Sequence, residues 1–165
     1  MGTSQEKGDS YEEFISQLLD GVKEHGRDVR NIESGRNNKI LGASGCNHQI
    51  DVSFIDYSFE KPTLVLIECK NTPSKPVEKV EVAAFKAIID DVLNENSSPE
   101  VILGIFAYAE KARSGAIKFA KHYNIQMEKT GMKPNFAFKY QDLVQVGIHL
   151  QSTSSLSANA EIIKS

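Results

Sequence analysis

Asp51, Glu68 and Lys70 are the residues of this 165-residue chain whose types and spacing most suggest chemistry. They fall in two β-rich runs, Gln49 to Asp56 and Thr63 to Lys70, separated by a polar turn region that contains Pro62. An antiparallel hairpin turning near residues 59 and 60 sets Ile50 against Cys69, Val52 against Ile67 and Phe54 against Val65. Those pairs make one wholly apolar face. The period of two then places Asp51 across from Glu68 on the other face, with Lys70 two residues further on. A slip of one residue would take the two acids off a shared face, so the core pattern itself supports the placement.

Carboxylates directly opposed on a sheet repel each other. A hard divalent cation between them removes the repulsion, because Mg²⁺ takes oxygen ligands from one or two carboxylates plus water and phosphate. A lysine beside such an ion can orient or deprotonate the attacking water and steady the charge developing on phosphorus. The set suits metal-assisted hydrolysis of a phosphodiester. The same spacing also fits a plainer arrangement, in which Glu68 and Lys70 are an exposed charged pair at a strand end and Asp51 closes it with salt bridges.

Other polar residues gather around this centre. In the hairpin register Gln49 shares the face of Asp51 and lies opposite Lys70, where it could contact the scissile phosphate, hold the lysine, or simply hydrogen-bond as a strand residue. Ser44, between Gly42 and Gly45, sits in a loop that could approach a phosphate backbone closely or be only a turn. His48 reads as a loop histidine within reach of DNA rather than a ligand, since no second histidine stands at metal-binding spacing. Asn71 and Lys75 follow Lys70 on a loop, solvated or in contact with DNA. Lys111, Arg113, Lys118 and Lys121 give the segment from Glu110 to His122 four bases against one acid, or +3. Ser114 near its start could offer a backbone N–H to phosphate, although such charged faces are often just solvated. Cys69, on the apolar face, is buried and inert rather than nucleophilic.

The elements that must position these residues alternate along the chain. Ser10 with Glu13 three residues later forms a capping box for a helix running to about His25 on Tyr11, Phe14, Ile15, Leu18, Leu19 and Val22. Asp28 to Ser34 and Lys39 to Leu41 are extended, and Gly42 to Gly45 is a loop. After the hairpin and the loop from Asn71 to Pro76, a second helix carries Val77, Val80, Val82, Phe85, Ile88, Ile89 and Val92. Val101 to Tyr108 is a buried strand, Lys111 to Tyr123 a third helix and Ile125 to Glu128 a last core strand. Phe136 to Gln151 alternates as an added hairpin. The order α-β-β-β-α-β-α-β predicts an α/β class with a mixed sheet flanked by helices, plus a β extension. One domain is expected: a loose N-terminus over 1–9, a core over 10–128, and a β-rich extension with a fraying tail over 129–165.

Composition bounds the partners. Apolar residues make up 40% and charged residues 25%, ordinary for a soluble globular protein. No apolar run approaches the roughly 18 residues of a membrane span, and the polar start MGTSQEKGDS carries no secretion signal. Two cysteines, Cys46 and Cys69, are too few for a disulfide scaffold or zinc site, so a reducing cytoplasm is expected. The net charge of −3 argues against nonspecific coating of nucleic acid but leaves room for a local basic face.

The string QIDV at Gln49 to Val52, followed by LIECKN at Leu66 to Asn71, resembles the PD-(D/E)XK nuclease superfamily, and within it the Mrr-like restriction endonuclease branch. The likeness extends to YEEFISQLL at Tyr11 to Leu19, GASGCNHQID at Gly42 to Asp51, PVEKVEVAAF at Pro76 to Phe85 and SGAIKFAKHYNI at Ser114 to Ile125. It therefore spans about residues 10 to 127, in the family's order. One departure is Ile50, where the superfamily's name has a proline. The resemblance implies a restriction-endonuclease-like core with a four- or five-stranded mixed sheet. It also implies Asp51 and Glu68 as ligands of Mg²⁺, with Mn²⁺ as a substitute, and Lys70 as the residue that positions water. Glu12, the matched acid of the first helix, would add a carboxylate at the site's edge, or else be a solvated first-turn acid favoured by the helix dipole. The activity implied is a metal-dependent DNA endonuclease of restriction or defence type. Cutting both strands would call for a homodimer or a partner protein. The alternatives are a structure-specific nuclease acting on junctions, flaps or nicks, a catalytically silent nuclease-like module binding DNA or a protein, and a domain whose charges are merely structural.

Overall fold

The strand at the centre of the molecule is the segment that carries Glu68 and Lys70. Thr63–Lys70 (β5) reads TLVLIECK, apolar on both faces from Leu64 to Ile67, as a strand covered on both sides must be. It pairs antiparallel with Val52–Asp56 (β4), with Val52 opposite Ile67, Phe54 opposite Val65 and Asp56 opposite Thr63. That is the register expected from the apolar pairing. On its other side β5 runs parallel to Val101–Tyr108 (β6), which in turn runs parallel to Gln126–Lys129 (β7). Val29–Ser34 (β1) closes the opposite edge against β4, giving the order β1-β4-β5-β6-β7. A bulge interrupts β1 between Arg30 and Glu33, where Asn31 takes a positive φ of 54°.

The computed structural model describes residues 27–72, 74–93 and 101–130, together with Glu13, Ile15, Ser16, Leu19 and Asp20, which are helical. Two helices link the parallel strands: Lys79–Leu93 (α1) between β5 and β6, and Ser114–His122 (α2) between β6 and β7. Each face of the sheet has its own core. On one, Val52, Phe54, Val65, Ile67, Leu103, Ile105 and Ala107 pack with Ile15 of the N-terminal helix. On the other, Leu66 and Phe106 meet Val82, Phe85 and Ile89 of α1 and Ala116 and Ala120 of α2. Gly104 lets α1 come close, because a Cβ there would lie 2.5 Å from Ile89 Cδ1 and 3.3 Å from Phe85 Cε1. The mixed sheet flanked by helices is the expected α/β class. Among the described residues no helix is long and apolar enough to cross a membrane.

The expected strand from Gln49 to Asp56 is in fact two. Asn47–Gln49 (β3) pairs with Lys39–Leu41 (β2) in a separate two-stranded ribbon, and the chain bends at Asp51 before β4 begins. Ile50 consequently does not join Val52 and Phe54. It is fully buried in the core beneath α1 and α2 instead. The bend is fixed by hydrogen bonds: Ile50 N donates to Asn38 O at 3.1 Å, and Gly35 N to Asp51 O at 2.9 Å. The hairpin expected over Phe136 to Gln151 lies outside the described residues.

Candidate functional site

The site forms at the start of β4, which pairs from Val52 opposite Ile67 while β5 runs on to Lys70. Had β4 continued, the backbone of residue 50 would serve the N–H of Cys69. Because the chain turns there, the Asp51 carboxylate takes that place, its Oδ2 accepting from Cys69 N at 2.7 Å. The bend thus delivers the acid to the C-terminal end of β5, between Glu68 and Lys70 in sequence. Glu68 is partly buried, and burial first and the charge of Asp51 second push its carboxyl up to about 8. Burial likewise raises the Cys69 thiol well above its ordinary range, with Asp51 and Glu68 adding to the effect. Cys69 is only partly buried, not fully as expected, and packs against the core on the face away from α1.

Lys70 shares the face of Glu68, and its ammonium is held by groups at the start of α1. Its Nζ donates to Pro76 O at 3.2 Å and to both oxygens of Glu81, in the first turn of α1. Glu81 also accepts from Glu78 N at 2.7 Å, the reach-back of a third-position glutamate to the helix cap. Sequence reasoning misses Glu81. A capping box is read from a Ser or Thr three residues earlier, and Glu78 stands there instead. The carboxylate therefore does two jobs: it satisfies the helix end and fixes the lysine.

Asp51 acts on Glu68, but through the bend before β4 and not through the strand pairing expected, and Lys70 two residues on is held by Glu81. Gln49 is not opposite Lys70: it belongs to β3, pairs with Lys39 and is exposed, because the chain turns between it and Asp51. Glu12 lies outside the described residues. Ser44 and His48 are engaged with Asp91 of α1: His48 Nε2 lies 2.6 Å from Asp91 Oδ2, and Ser44 donates to the same carboxylate from its Oγ at 2.6 Å and from its N at 2.8 Å. These contacts hold the Asp91 carboxyl below the usual range. Asn71 is half-buried and Lys75 exposed on the loop after Lys70. Lys111, Arg113, Ser114, Lys118 and Lys121 lie on or just before α2, and of these Lys111, Arg113, Lys118 and Lys121 form the basic tract. Val77 N donates to Lys111 O at 2.8 Å and Arg113 N to Val77 O at 3.0 Å, so the start of α2 is stitched beside the segment that follows Lys70.

Among the described residues no group of three or more Asp, Glu, His or Cys side chains is poised to hold a metal. The donor set present is two carboxylates, which suits Mg²⁺, an ion that keeps several waters and shares its remaining positions with a substrate phosphate. The raised Glu68 carboxyl fits that ion too, since a divalent cation favours the ionised form that burial and Asp51 disfavour.

The fold is similar to the crystal structure of a protein of unknown function, AF1548, at 20% identity and a TM-score of 0.51, over 72% of this chain and 56% of that one. Two further likenesses have lower TM-scores. One, at 0.48, is to a repair endonuclease from Pyrococcus abyssi, with 16% identity over 81% of this chain and 49% of that one. The other, at 0.45, is to EndoMS in its apo form, with 17% identity over 72% of this chain and 46% of that one. This chain spans about half the length of those three proteins. No protein-family model matches it, and no curated protein does.

Proposed function

We propose that this chain is a Mg²⁺-dependent DNA endonuclease of the PD-(D/E)XK kind. The observation that carries the reading is the end of β4, where a bend sets the Asp51 carboxylate on the backbone of β5 beside Glu68 and Lys70. The ordered motif segments from Tyr11 to Ile125 support it. Asp51 and Glu68 would hold the metal, which when bound supplies a Lewis acid for the phosphate and a more acidic water. Asp51 is fixed by its bond from Cys69 N, so it meets the ion already oriented. Lys70 presents an ammonium that can donate to a phosphate oxygen or to the attacking water. Glu81 and Pro76 O hold that ammonium from behind and so limit where it can reach.

Supercoiled plasmid with Mg²⁺ or EDTA, beside Asp51→Asn and Lys70→Ala, tests the reading. Nicking should require the metal and fall by about 10²-fold or more in each variant, while circular dichroism and DNA binding stay unchanged. Full activity in either variant overturns the assignment. So does wild-type protein that neither cuts nor binds DNA.

A further inference from the structure

Residues 35–49 contain Arg36, Lys39 and His48 and no Asp or Glu, in a chain whose acids outnumber its Lys and Arg by 22 to 19. This acid-free stretch is the ribbon of β2 and β3, which pair Lys39 with Gln49, Ile40 with His48 and Leu41 with Asn47. Alternation splits the ribbon into two faces. Ile40 and His48 turn inward, Ile40 against the core beneath α1 and His48 onto Asp91. Lys39, Leu41, Asn47 and Gln49 turn outward and are exposed, Leu41 by 47%.

An isolated ribbon of this size is marginal in water. This one is tied at both ends. At its tip, Asp91 accepts from Ser44 N, Ser44 Oγ and His48, and its backbone oxygen accepts from Ala43 N at 3.0 Å. At its base, Asn38 is 2% exposed and bonds Glu33 O, Ser53 Oγ and Ile50 N, while Gly35 N bonds the backbone of Asp51. The side-chain ties come from Asn38, Ser44, His48 and Ser53, none of them among the outward residues of β2 and β3. They leave four outward side chains on a ribbon whose base is tied to the backbone of Asp51.

We propose that this outward face reads duplex DNA from the major groove. The inference rests on the nuclease reading and names its specificity surface. A two-stranded ribbon fits the width of the major groove of B-DNA. The amides of Asn47 and Gln49 match the adenine edge, Lys39 the guanine edge, and Leu41 can meet a thymine methyl. Arg36 and Lys39, both inside the acid-free stretch that follows Ser34, supply the charge that draws phosphate. Ser44 and His48 then brace the ribbon and do not touch DNA.

The test uses the full chain carrying Asp51→Asn, so that bound DNA stays uncut, with Mg²⁺ and a library of duplexes randomised at their centres. Adding Leu41→Ala, Asn47→Ala and Gln49→Ala together should weaken binding about tenfold or more and flatten the base preference of the recovered duplexes. Unchanged affinity and preference in that triple variant overturn the ribbon. A loss equal for every sequence overturns base reading. A second measurement needs no variant: duplexes bearing bulky glucosyl groups in the major groove should bind poorly, while a small minor-groove ligand should compete weakly. The reverse pattern overturns the proposal. Wild-type chain that cuts plasmid while the triple variant binds normally removes the ribbon alone, and wild-type chain that neither binds nor cuts removes the nuclease reading with it.

Discussion

Glu81 shows how one carboxylate can serve both a helix and a site. Its bond from Glu78 N belongs to the helix cap, and its bonds to Lys70 Nζ belong to the centre. Two substitutions separate these jobs. Glu81→Gln keeps an oxygen for Glu78 N but removes the charge facing Lys70, so nicking should drop about tenfold or more with little change in melting temperature. Glu81→Ala loses the cap as well, and should add a stability loss of about 0.5–2 kcal/mol. Equal activity in wild type and Glu81→Gln would make the contact a helix cap only. Glu68 gives a prediction readable without any catalysis. In EDTA its carboxyl keeps its proton up to about 8 in the folded state, against 4.5 ordinarily. Between those values the folded chain holds a proton that the unfolded chain has released, so stability should fall as pH rises through that window. Urea denaturation from pH 5 to 8 measures the slope, and Glu68→Gln should flatten it. Mg²⁺ needs the ionised acid, so the stabilisation it brings should be larger at pH 8 than at pH 5.5. A metal effect independent of pH would place the ion elsewhere.

At the scale of elements, the joint between the ribbon and α1 is the point most open to a single methyl. A Cβ on Gly42 would sit 2.0 Å from Asp91 Oδ2 and 2.9 Å from His48 Nε2, inside the contacts that hold the tip. Gly42→Ala should therefore expel Asp91 and release the ribbon, costing about 1–3 kcal/mol. Plasmid nicking should fall with it, because the chain runs from the ribbon straight into Asp51. Asp91→Ala should reproduce both effects, and normal activity in both variants would uncouple the ribbon from the site. Local pattern makes the sheet readable: β5, β6 and the β4–β5 register follow from alternation and apolar runs, and they fix Glu68 and Lys70 at a strand end. The break at Ile50 is not readable, because Gln49, Ile50, Asp51 and Val52 alternate as one strand would. The bonds that fix it, from Ile50 N to Asn38 O and from Gly35 N to Asp51 O, join residues 12 and 16 apart, and no periodicity announces them. Asp91 is hidden for the same reason, standing 43 residues from His48. Glu81 sits inside a matched segment, but its bond to Lys70 exists only once α1 folds back over β5.

Across the whole molecule, the proposed nuclease would have to bring a polyanion to its own acids while carrying a net charge of −3. Unlike charges therefore have to be segregated, and two basic tracts do this: the ribbon, and the segment from Lys111 to Lys121. The second tract is graded by position. The backbone bonds of Val77 with Lys111 and Arg113 hold its start beside the loop that leaves Lys70, whereas Lys118 and Lys121 lie further along α2. Arg113 is only loosely held, its Nε 3.3 Å from the Glu78 carboxylate on an exposed surface, and such a pair contributes little to stability. If DNA crosses the end of the sheet that carries Asp51 and Glu68, Lys111→Glu with Arg113→Glu should weaken binding more than Lys118→Glu with Lys121→Glu. Every phosphate deprived of its basic partner should lower the slope of log affinity against log salt by about 0.9, so the first pair should remove nearly two units and the second fewer. Titrations of a duplex from about 50 to 200 mM salt cover the range in which that slope is read. An unchanged slope in the first pair would take α2 out of the interface, and the ribbon would then be left as the basic surface facing the duplex.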